Sequence, residues 1–330
     1  MYRNIFLVIL IIFMAGCSSS KVKPSTTNTQ AAWYLNPPQD EKLFYSVAIA
    51  DTVKKAKKIA IVNMRNNLAK EINKRFATTN NELSFNDEKL LQKIQNNNLE
   101  IAMRLSLNRV KLEKTQTYYG RELVLLSIPK QDLFNKIKMI SNIKLGRAKQ
   151  ADKRALNKTS IDRFIALKVA MSEYSTLVCL AEYKKFLLSS YDSSAEFEFL
   201  HKIKNEYDYL KNNITFYILT DANSKIFAKA ILYMIKSEGL HVENELKTKD
   251  SFEILVTSTT QESQVYAFNQ SKVLVKLTTF DNNKNKIKFR QHTVIGKSKR
   301  SYVEAKKQAS RHFNYKIKKL GLFDFLGFDK

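Results

Sequence analysis

The stretch LFYSVAIADTVKKAKKIAIVNMRNNLAKEINKRF, residues 43–76, changes its hydrophobic period in a way that decides the fold class. Its first eight residues alternate large apolar side chains with smaller ones, which is the two-residue period of a β-strand. From residue 53 the period becomes four, as in a helix that buries one stripe. The stripe residues are Ala56, Ala60, Met64, Leu68 and Ile72. We therefore predict a strand over 43–50 and a helix over 53–76, whose alanines allow close approach to a sheet.

The sequence that follows extends this pair into a small domain. Asn86 and Asp87 can cap a second helix, residues 104–114 predict a strand, and the segment Tyr-Tyr-Gly-Arg at 118–121 predicts a hairpin turn. A strand over 122–128 and a short helix after Pro129, ending near residue 140, complete the pattern. This order of strands and helices predicts an α+β domain over residues 32–140.

Residues 141–213 carry the pattern of helices alone. Two helices fit, over 160–189 and 194–210, with the polar segment Tyr-Asp-Ser-Ser at 191–194 as the turn between them. We favour an antiparallel helical hairpin. The alternatives are a coiled hairpin that binds a partner and a spacer between two folded units.

Residues 214–330 predict a second, basic α+β domain. Its strands are expected over 214–219, 252–256, 272–280 and 286–295. Ser224 is expected to cap a first helix, while Ser301 and Glu304 form the capping box of a second, which Gly321 ends. The aromatic tail at 322–328 is expected to pack on its own domain rather than on a partner. The complete prediction is an α+β protein with a helical hairpin between two small α+β domains.

The N-terminus reads as a secretory signal. Arg3 precedes an uncharged apolar run that ends at Met14, Ala15, Gly16 and Cys17. This ending resembles the bacterial lipobox. The resemblance implies a signal peptide over 1–16, cleavage before Cys17, and covalent lipid, palmitate included, on Cys17. The alternative is an ordinary signal peptide followed by a coincidental cysteine.

The residues after the cysteine bear on location. Ser18 follows Cys17, where Asp would imply retention at the inner membrane. Resemblance to the Gram-negative sorting signal therefore implies an outer-membrane lipid anchor that faces the periplasm. Residues 17–31 are rich in Ser, Thr and Lys, and we expect this lipidated tether not to fold.

Several spaced features after the tether resemble the Lpp-twenty lipoprotein family, to which FlgP-type flagellar lipoproteins also belong. They are Trp33, Pro37, Pro38, Tyr45, Ala56, Ala60 and Gly120. The family usually has glycines beside the tyrosine, where this chain has Ser46 and Ala48. The resemblance covers about residues 32–140, implies an outer-membrane lipoprotein, and supplies no catalytic residue. Its flagellar branch implies oligomeric scaffolds, so homo-oligomers and a flagellar association are open possibilities. We expect Trp33 to close the core, with an exposed partner anchor as the alternative.

The chain is strongly basic, with 56 Lys and Arg against 31 Asp and Glu and a net charge of +25. Thirteen of the basic residues lie between Lys284 and Lys319, where Glu304 is the only acid. The candidate binding residues are Lys286, Lys288, Arg290, Lys299, Arg300, Lys306 and Lys307. Three interpretations compete: a solvated face, contact with anionic envelope material, and an acidic protein partner. The predicted export disfavours nucleic acid.

The inventory of reactive residues is sparse, with seven glycines, two cysteines and four histidines. The histidines share no metal-ligand spacing, and no nucleophile elbow or phosphate loop is present. We expect no enzyme, no metal and no cofactor besides the lipid on Cys17, although a site assembled from distant residues stays open. Cys179 lies in an apolar helical stretch, which predicts a buried, unreactive thiol rather than a reactive one.

These features predict an envelope lipoprotein with a structural or assembly role, which acts by binding to an envelope protein or to anionic material. The alternative is a binding module for an anionic envelope polymer, lipopolysaccharide or peptidoglycan, that uses the C-terminal basic face.

Overall fold

A computed structural model describes residues 25–26, 29–83, 88–154, 156, 158–245 and 250–328. These residues form two compact units. The first contains the described residues up to Ile140 together with Cys179–Tyr191, and the second contains those of Ser141–Val178 and those from Asp192 onward. The predicted signal peptide, Cys17 and most of the predicted tether lie outside the described residues. The predicted domain boundaries stay predictions.

A four-stranded sheet in the order β1-β3-β4-β2 is the base of the first unit. Its strands are β1 (Ser25–Thr26), β2 (Leu43–Ala50), β3 (Lys111–Tyr118) and β4 (Arg121–Pro129). β2 pairs antiparallel with β4 along its whole length. β3 and β4 form the predicted hairpin, in which Tyr119 and Gly120 have φ of 46° and 73°. Positive φ at both central residues is what a two-residue type I′ turn requires.

Three helices of the first unit are α1 (Ala32–Leu35), α2 (Val53–Leu83) and α3 (Glu88–Arg104). The predicted stripe of α2 is confirmed, because each of its five residues is at most 1% exposed. Ser46 donates its hydroxyl to the Ala60 carbonyl oxygen at 2.8 Å, so small residues do bring strand and helix close together. Trp33, on α1, is half-buried.

Three further helices are α4 (Lys130–Arg154), α5 (Ser160–Leu187) and α6 (Ser194–Asn213). The two helices of the predicted hairpin, α5 and α6, are confirmed. Phe164 near the start of α5 stacks on Tyr207 near the end of α6, with ring centroids 5.1 Å apart, as in an antiparallel pair. α5 belongs to both units, since the division falls between Val178 and Cys179.

The last part of α5 supplies core to the first unit. The Cys179 thiol donates to the Ile94 carbonyl oxygen and the Tyr183 hydroxyl to that of Asn98, each at 3.2 Å. Burial raises the pKa of the Cys179 thiol, so the thiolate is disfavoured. The predicted burial of the thiol is confirmed, and its lack of reactivity stays a prediction.

Among the described residues, α5 is the one helix long and apolar enough to cross a membrane by length and composition. In its most apolar window, 61% of the residues are buried inside the protein. This burial is typical of a core helix.

The second unit contains a five-stranded sheet in the order β6-β5-β7-β8-β9. Its strands are β5 (Thr215–Thr220), β6 (His241–Glu243), β7 (Ser251–Val265), β8 (Phe268–Phe280) and β9 (Lys286–Ser298). β5 pairs parallel with β6 and β7, and the pairs β7–β8 and β8–β9 are antiparallel. The sheet is therefore mixed, and β9 lies at its edge.

The helices of this unit are α7 (Lys225–Ser237), α8 (Tyr302–Leu320) and the short α9 (Leu322–Leu326). Ser301 accepts the Glu304 backbone N–H at 3.2 Å, and Gly321 ends α8 with a φ of 83°, so the predicted cap and stop are confirmed. Ser224 precedes α7 but makes no side-chain cap hydrogen bond. Its hydroxyl donates instead to Ser258 Oγ at 2.8 Å, which corrects the predicted cap.

Besides the end of α2, which lies at Leu83 rather than at residue 76, three predicted element bounds were clearly wrong. α3 continues to Arg104, where a strand was expected, and β3 begins only at Lys111, opposite Ser127 of β4. α4 extends to Arg154 rather than ending near residue 140. β7 continues to Val265 although its second half is polar, because β8 pairs with it along that length. Apolar alternation reports only half-buried strands, so it cannot detect a strand held by pairing alone.

The α+β class is confirmed, with helices between two sheet-containing parts. The aromatic tail also packs as predicted. Leu322, Phe323, Phe325, Leu326 and Phe328 are each at most 6% exposed, so the tail belongs to the core of its own unit.

Candidate functional site

The predicted binding residues lie along β9 and at the start of α8. Lys299 lies thirteen positions after Lys286. In an extended chain this distance is about 40 Å. The structure therefore divides the set into two groups. Lys286, Lys288 and Arg290 lie at the beginning of β9, and Lys299, Arg300, Lys306 and Lys307 lie beyond its end.

At the beginning of β9, the cations lie against aromatic side chains. Lys288 Nζ is 5.4 Å from the ring centroid of Phe328, and Lys286 Nζ is 4.5 Å from that of Phe289. Arg290 contacts the tail so closely that a Cβ added to Gly327 would lie 2.8 Å from its Cγ. The predicted cationic strand face is thus partly covered by the chain's own C-terminal segment.

Beyond the end of β9, the cations have other neighbours than the tail. Lys299, Arg300 and Lys307 are exposed, and Lys306 is half-buried. Lys299 Nζ lies 5.5 Å from the ring centroid of Phe268, and Lys307 pairs with Glu304 at 2.8 Å. The hydrogen bond from Lys307 and the charges of Lys307, Arg300 and Arg311 lower the pKa of Glu304. Glu304 therefore stays ionised and offsets one positive charge.

Edge position gives these lysines a structural role as well. Within the described residues, β9 pairs only with β8, which leaves its outer backbone groups without a strand partner. Charged side chains on an edge strand oppose pairing with the edges of other molecules. This supports the interpretation of the basic strand as a solvated face.

His292 is a residue that sequence reasoning did not single out as buried. It is 7% exposed, and its ring stacks on Phe325 with centroids 3.7 Å apart and planes within 10°. Its Nε2 lies 2.8 Å from the Phe325 carbonyl oxygen. Burial lowers the pKa of His292, as do the charges of Lys316 and Arg290. The alternation of residues in β9 could have predicted this burial, because His292 shares a strand face with the buried Val294 and Gly296.

A buried ion network in the second unit was also missed. Arg163 of α5 donates to both carboxylate oxygens of Glu206 on α6, each at 2.6 Å, and to Asp152 Oδ1 on α4 at 2.5 Å. Arg163 is 6% exposed, and the hydrogen bond with Glu206 raises its pKa. Arg163 binds both carboxylate oxygens of Glu206 and one of Asp152, whose other oxygen lies 3.4 Å from Lys202 Nζ. The network therefore ties three helices together and leaves the arginine little capacity for a ligand.

Two cavities in the second unit lie near these features. One, of about 850 Å³, is lined by Lys158, Arg163, Lys202, Asp250 and Asp281 among others. The other, of about 440 Å³, is lined by Ile165, Val169, Leu322 and Phe323, with the Lys168–Glu238 ion pair beside them.

In the part of the chain that the structure describes, no group of three or more His, Cys, Asp or Glu side chains could hold a metal ion. The expectations that the chain is not an enzyme and carries no metal stay predictions. Lipidation of Cys17 also stays a prediction, because Cys17 lies outside the described residues.

No protein-family model matches the chain, and no curated protein matches it. The resemblance to the Lpp-twenty family therefore stays a prediction too.

Solved structures give distant similarities. A minor lipoprotein from Acinetobacter baumannii is 11% identical, with 32% of this chain and 88% of that chain covered and a TM-score of 0.28. The secreted protein HP1454 from Helicobacter pylori is 12% identical, with 88% and 100% covered and a TM-score of 0.34. The rare lipoprotein B from Shewanella oneidensis is 6% identical, with 31% and 83% covered and a TM-score of 0.23. The chain is distantly similar in structure to bacterial lipoproteins and a secreted protein, and TM-scores this low assign neither a family nor a function.

Proposed function

We propose that the chain is a lipid-anchored lipoprotein of the bacterial envelope, held at the outer membrane and facing the periplasm. It has a structural or assembly role there, exerted by binding rather than by catalysis. The observation that carries the proposal is the sequence Met14-Ala15-Gly16-Cys17 at the end of an uncharged apolar run. The several acyl chains expected on Cys17 would give a stable anchor, since a single chain binds a membrane only marginally.

The anchor is tested by labelling cells with a clickable palmitate analogue and separating inner from outer membrane. We expect label on the mature protein in the outer-membrane fraction, and none on the Cys17→Ala variant. The matched control is Cys179→Ala, because Cys179 is the other of the two cysteines in the chain. Label that persists in Cys17→Ala would overturn the anchor.

We also propose that the chain is a member of the Lpp-twenty family with a flagellar association. This part of the proposal predicts self-assembly. Support for it is limited to the residues that resemble the family. Size-exclusion chromatography with light scattering on the chain from Ser18 onward tests it. A strict monomer at high concentration would contradict the scaffold role and leave the lipid anchor untouched.

A second candidate function is a binding module for an anionic envelope polymer. The exposed cations beyond the end of β9 favour it, because they are not covered by the C-terminal tail. Pull-down with peptidoglycan and with lipopolysaccharide at rising salt tests this function. Binding that is indifferent to both salt and the double charge reversal Lys299→Glu, Arg300→Glu would exclude it.

A further inference from the structure

One end of the second unit's sheet combines exposed apolar side chains with cations. Tyr266 lies in the two-residue turn that joins β7 to β8, and it is 95% exposed. Phe268 follows the turn and is 37% exposed, and Val303 in the first turn of α8 is 66% exposed. The strand register brings the end of β9 to the same place, since Asn269 lies opposite Ser298.

The charges at this end are mostly of one sign. Lys297, Lys299 and Arg300 are exposed there. The acids nearby on the same elements are Glu304, which pairs with Lys307 at 2.8 Å, and Glu262, which lies on β7 opposite Ser271. We use the name hairpin-tip surface for the following set. It consists of Tyr266, Phe268, Lys297, Lys299, Arg300 and Val303.

We propose that the hairpin-tip surface docks on an anionic phospholipid bilayer. The inference rests on the proposed envelope location, which brings such a bilayer within reach, and it names the partner of the exposed cations. Tyrosine at the boundary of a membrane places its ring among the headgroups, and lysine and arginine beside it are attracted to anionic lipid. The hairpin-tip surface has this composition.

The shape of the surface favours a bilayer over a polymer strand. Tyr266 is almost free of protein neighbours, and its backbone φ of 55° belongs to a tight turn that ends the hairpin. A projecting tip can enter a headgroup layer, whereas recognition of a chain-like polymer calls for a groove with converging polar groups. The Lys299 ammonium over the Phe268 ring keeps charge and apolar surface side by side.

The experiment is sedimentation of the chain from Ser18 onward, which retains every described element, with phosphatidylcholine vesicles that contain or lack phosphatidylglycerol. We expect binding only with phosphatidylglycerol, weakened by salt, and weakened by about tenfold or more in Lys299→Glu, Arg300→Glu. The matched control is Lys54→Glu, Lys58→Glu, which changes the net charge equally on exposed residues of the first unit. The proposal would be overturned if both double variants lost vesicle binding equally, or if neither lost it.

A second readout separates insertion of the tip from charge attraction alone. In Tyr266→Trp the emission should shift to shorter wavelength with phosphatidylglycerol vesicles, relative to the parent chain, whose one tryptophan is Trp33. Binding without that shift would overturn docking by the tip. Absence of vesicle binding while Cys17 still takes the palmitate label would overturn this inference and leave the proposed function standing.

Discussion

The two ends of β9 carry the same kinds of residue in different surroundings. At its beginning, Lys288 and Arg290 lie against Phe328 and Gly327 of the C-terminal tail, and the buried His292 follows. Beyond its end, Lys299 and Arg300 lie beside an aromatic hairpin tip instead of the tail, and they are exposed, as Arg290 also is. A cation whose stem and charge cover apolar surface contributes to stability, whereas an exposed cation is available to a partner.

The basic residues of this one segment therefore have two different roles, in stability and in binding a partner. The aromatic tail lies against Lys288, which is half-buried, and against Arg290, which stays exposed, because the tail returns to the beginning of β9 and not to its end. If this difference holds, the cations at the beginning of β9 contribute to stability and those beyond its end do not.

The largest effect is expected at the tail. Phe325 is fully buried against His292 and Phe313, with ring centroids 3.7 Å and 5.0 Å away. Phe325→Ala should lower the free energy of unfolding by about 3–5 kcal/mol, because it leaves a cavity in the core. Urea denaturation measures this change. The control is Tyr266→Ala at the hairpin tip, which should change stability by no more than about 0.5 kcal/mol. Similar losses in the two variants would contradict the comparison.

β9 should also tolerate no added volume near its end, at Gly296. A Cβ on Gly296 would lie 1.9 Å from the Ala305 carbonyl oxygen of α8, which is backbone and cannot move aside cheaply. Gly296→Ala should therefore cost about 1–3 kcal/mol of unfolding free energy or more, measured by the same denaturation.

The control for this change is Gly146→Ala in α4, where an added Cβ meets nothing within 4 Å. It should stabilise the protein by about 0.5–1 kcal/mol, because alanine favours the helix. A Gly296→Ala variant as stable as the parent would show that α8 does not pack on β9 as described.

The buried imidazole should make stability depend on pH. Burial lowers the pKa of His292 below its ordinary 6.5, with Lys316 and Arg290 nearby. The unfolded chain then takes up a proton near pH 6.5 while the folded one does not, so the free energy of unfolding falls as the pH drops below 6.5. Each unit of lowering corresponds to about 1.4 kcal/mol. Thermal unfolding followed from neutral to mildly acidic pH should show a smaller fall in His292→Gln than in the parent. An identical fall in both would assign the effect to other groups.

The smallest effect concerns single lysines. Lys288→Ala removes the ammonium from the Phe328 ring and should cost about 0.5–1 kcal/mol. Lys299→Ala, at the opposite end, should cost less and instead weaken the vesicle binding proposed above. Chemical denaturation and vesicle sedimentation on both variants give the two readouts. A loss of stability in Lys299→Ala together with a loss of vesicle binding in Lys288→Ala would contradict the comparison.

Much of the fold follows from local signals. The period of residues 43–76 located β2 and most of α2, the Tyr-Gly turn located the β3–β4 hairpin, and the Ser301–Glu304 pattern located the start of α8. The signals failed where pairing rather than burial holds a strand, as in the polar half of β7, and at the three-residue β6. The charge composition identified the basic candidate residues, but it did not predict that they form two separate groups.

The sequence by itself determined most of the order of strands and helices, the Ser301 cap, the β3–β4 turn, and the lipobox on which the proposed location rests. These depend on residues within a few positions of one another. Only the tertiary structure decided that Phe325 stacks on His292, that Arg163 binds Asp152 and Glu206, and that Lys288 and Lys299 differ in surroundings. The partners in these contacts lie about ten to forty residues apart in the chain, and the environment of a charge is set by what packs against it in space.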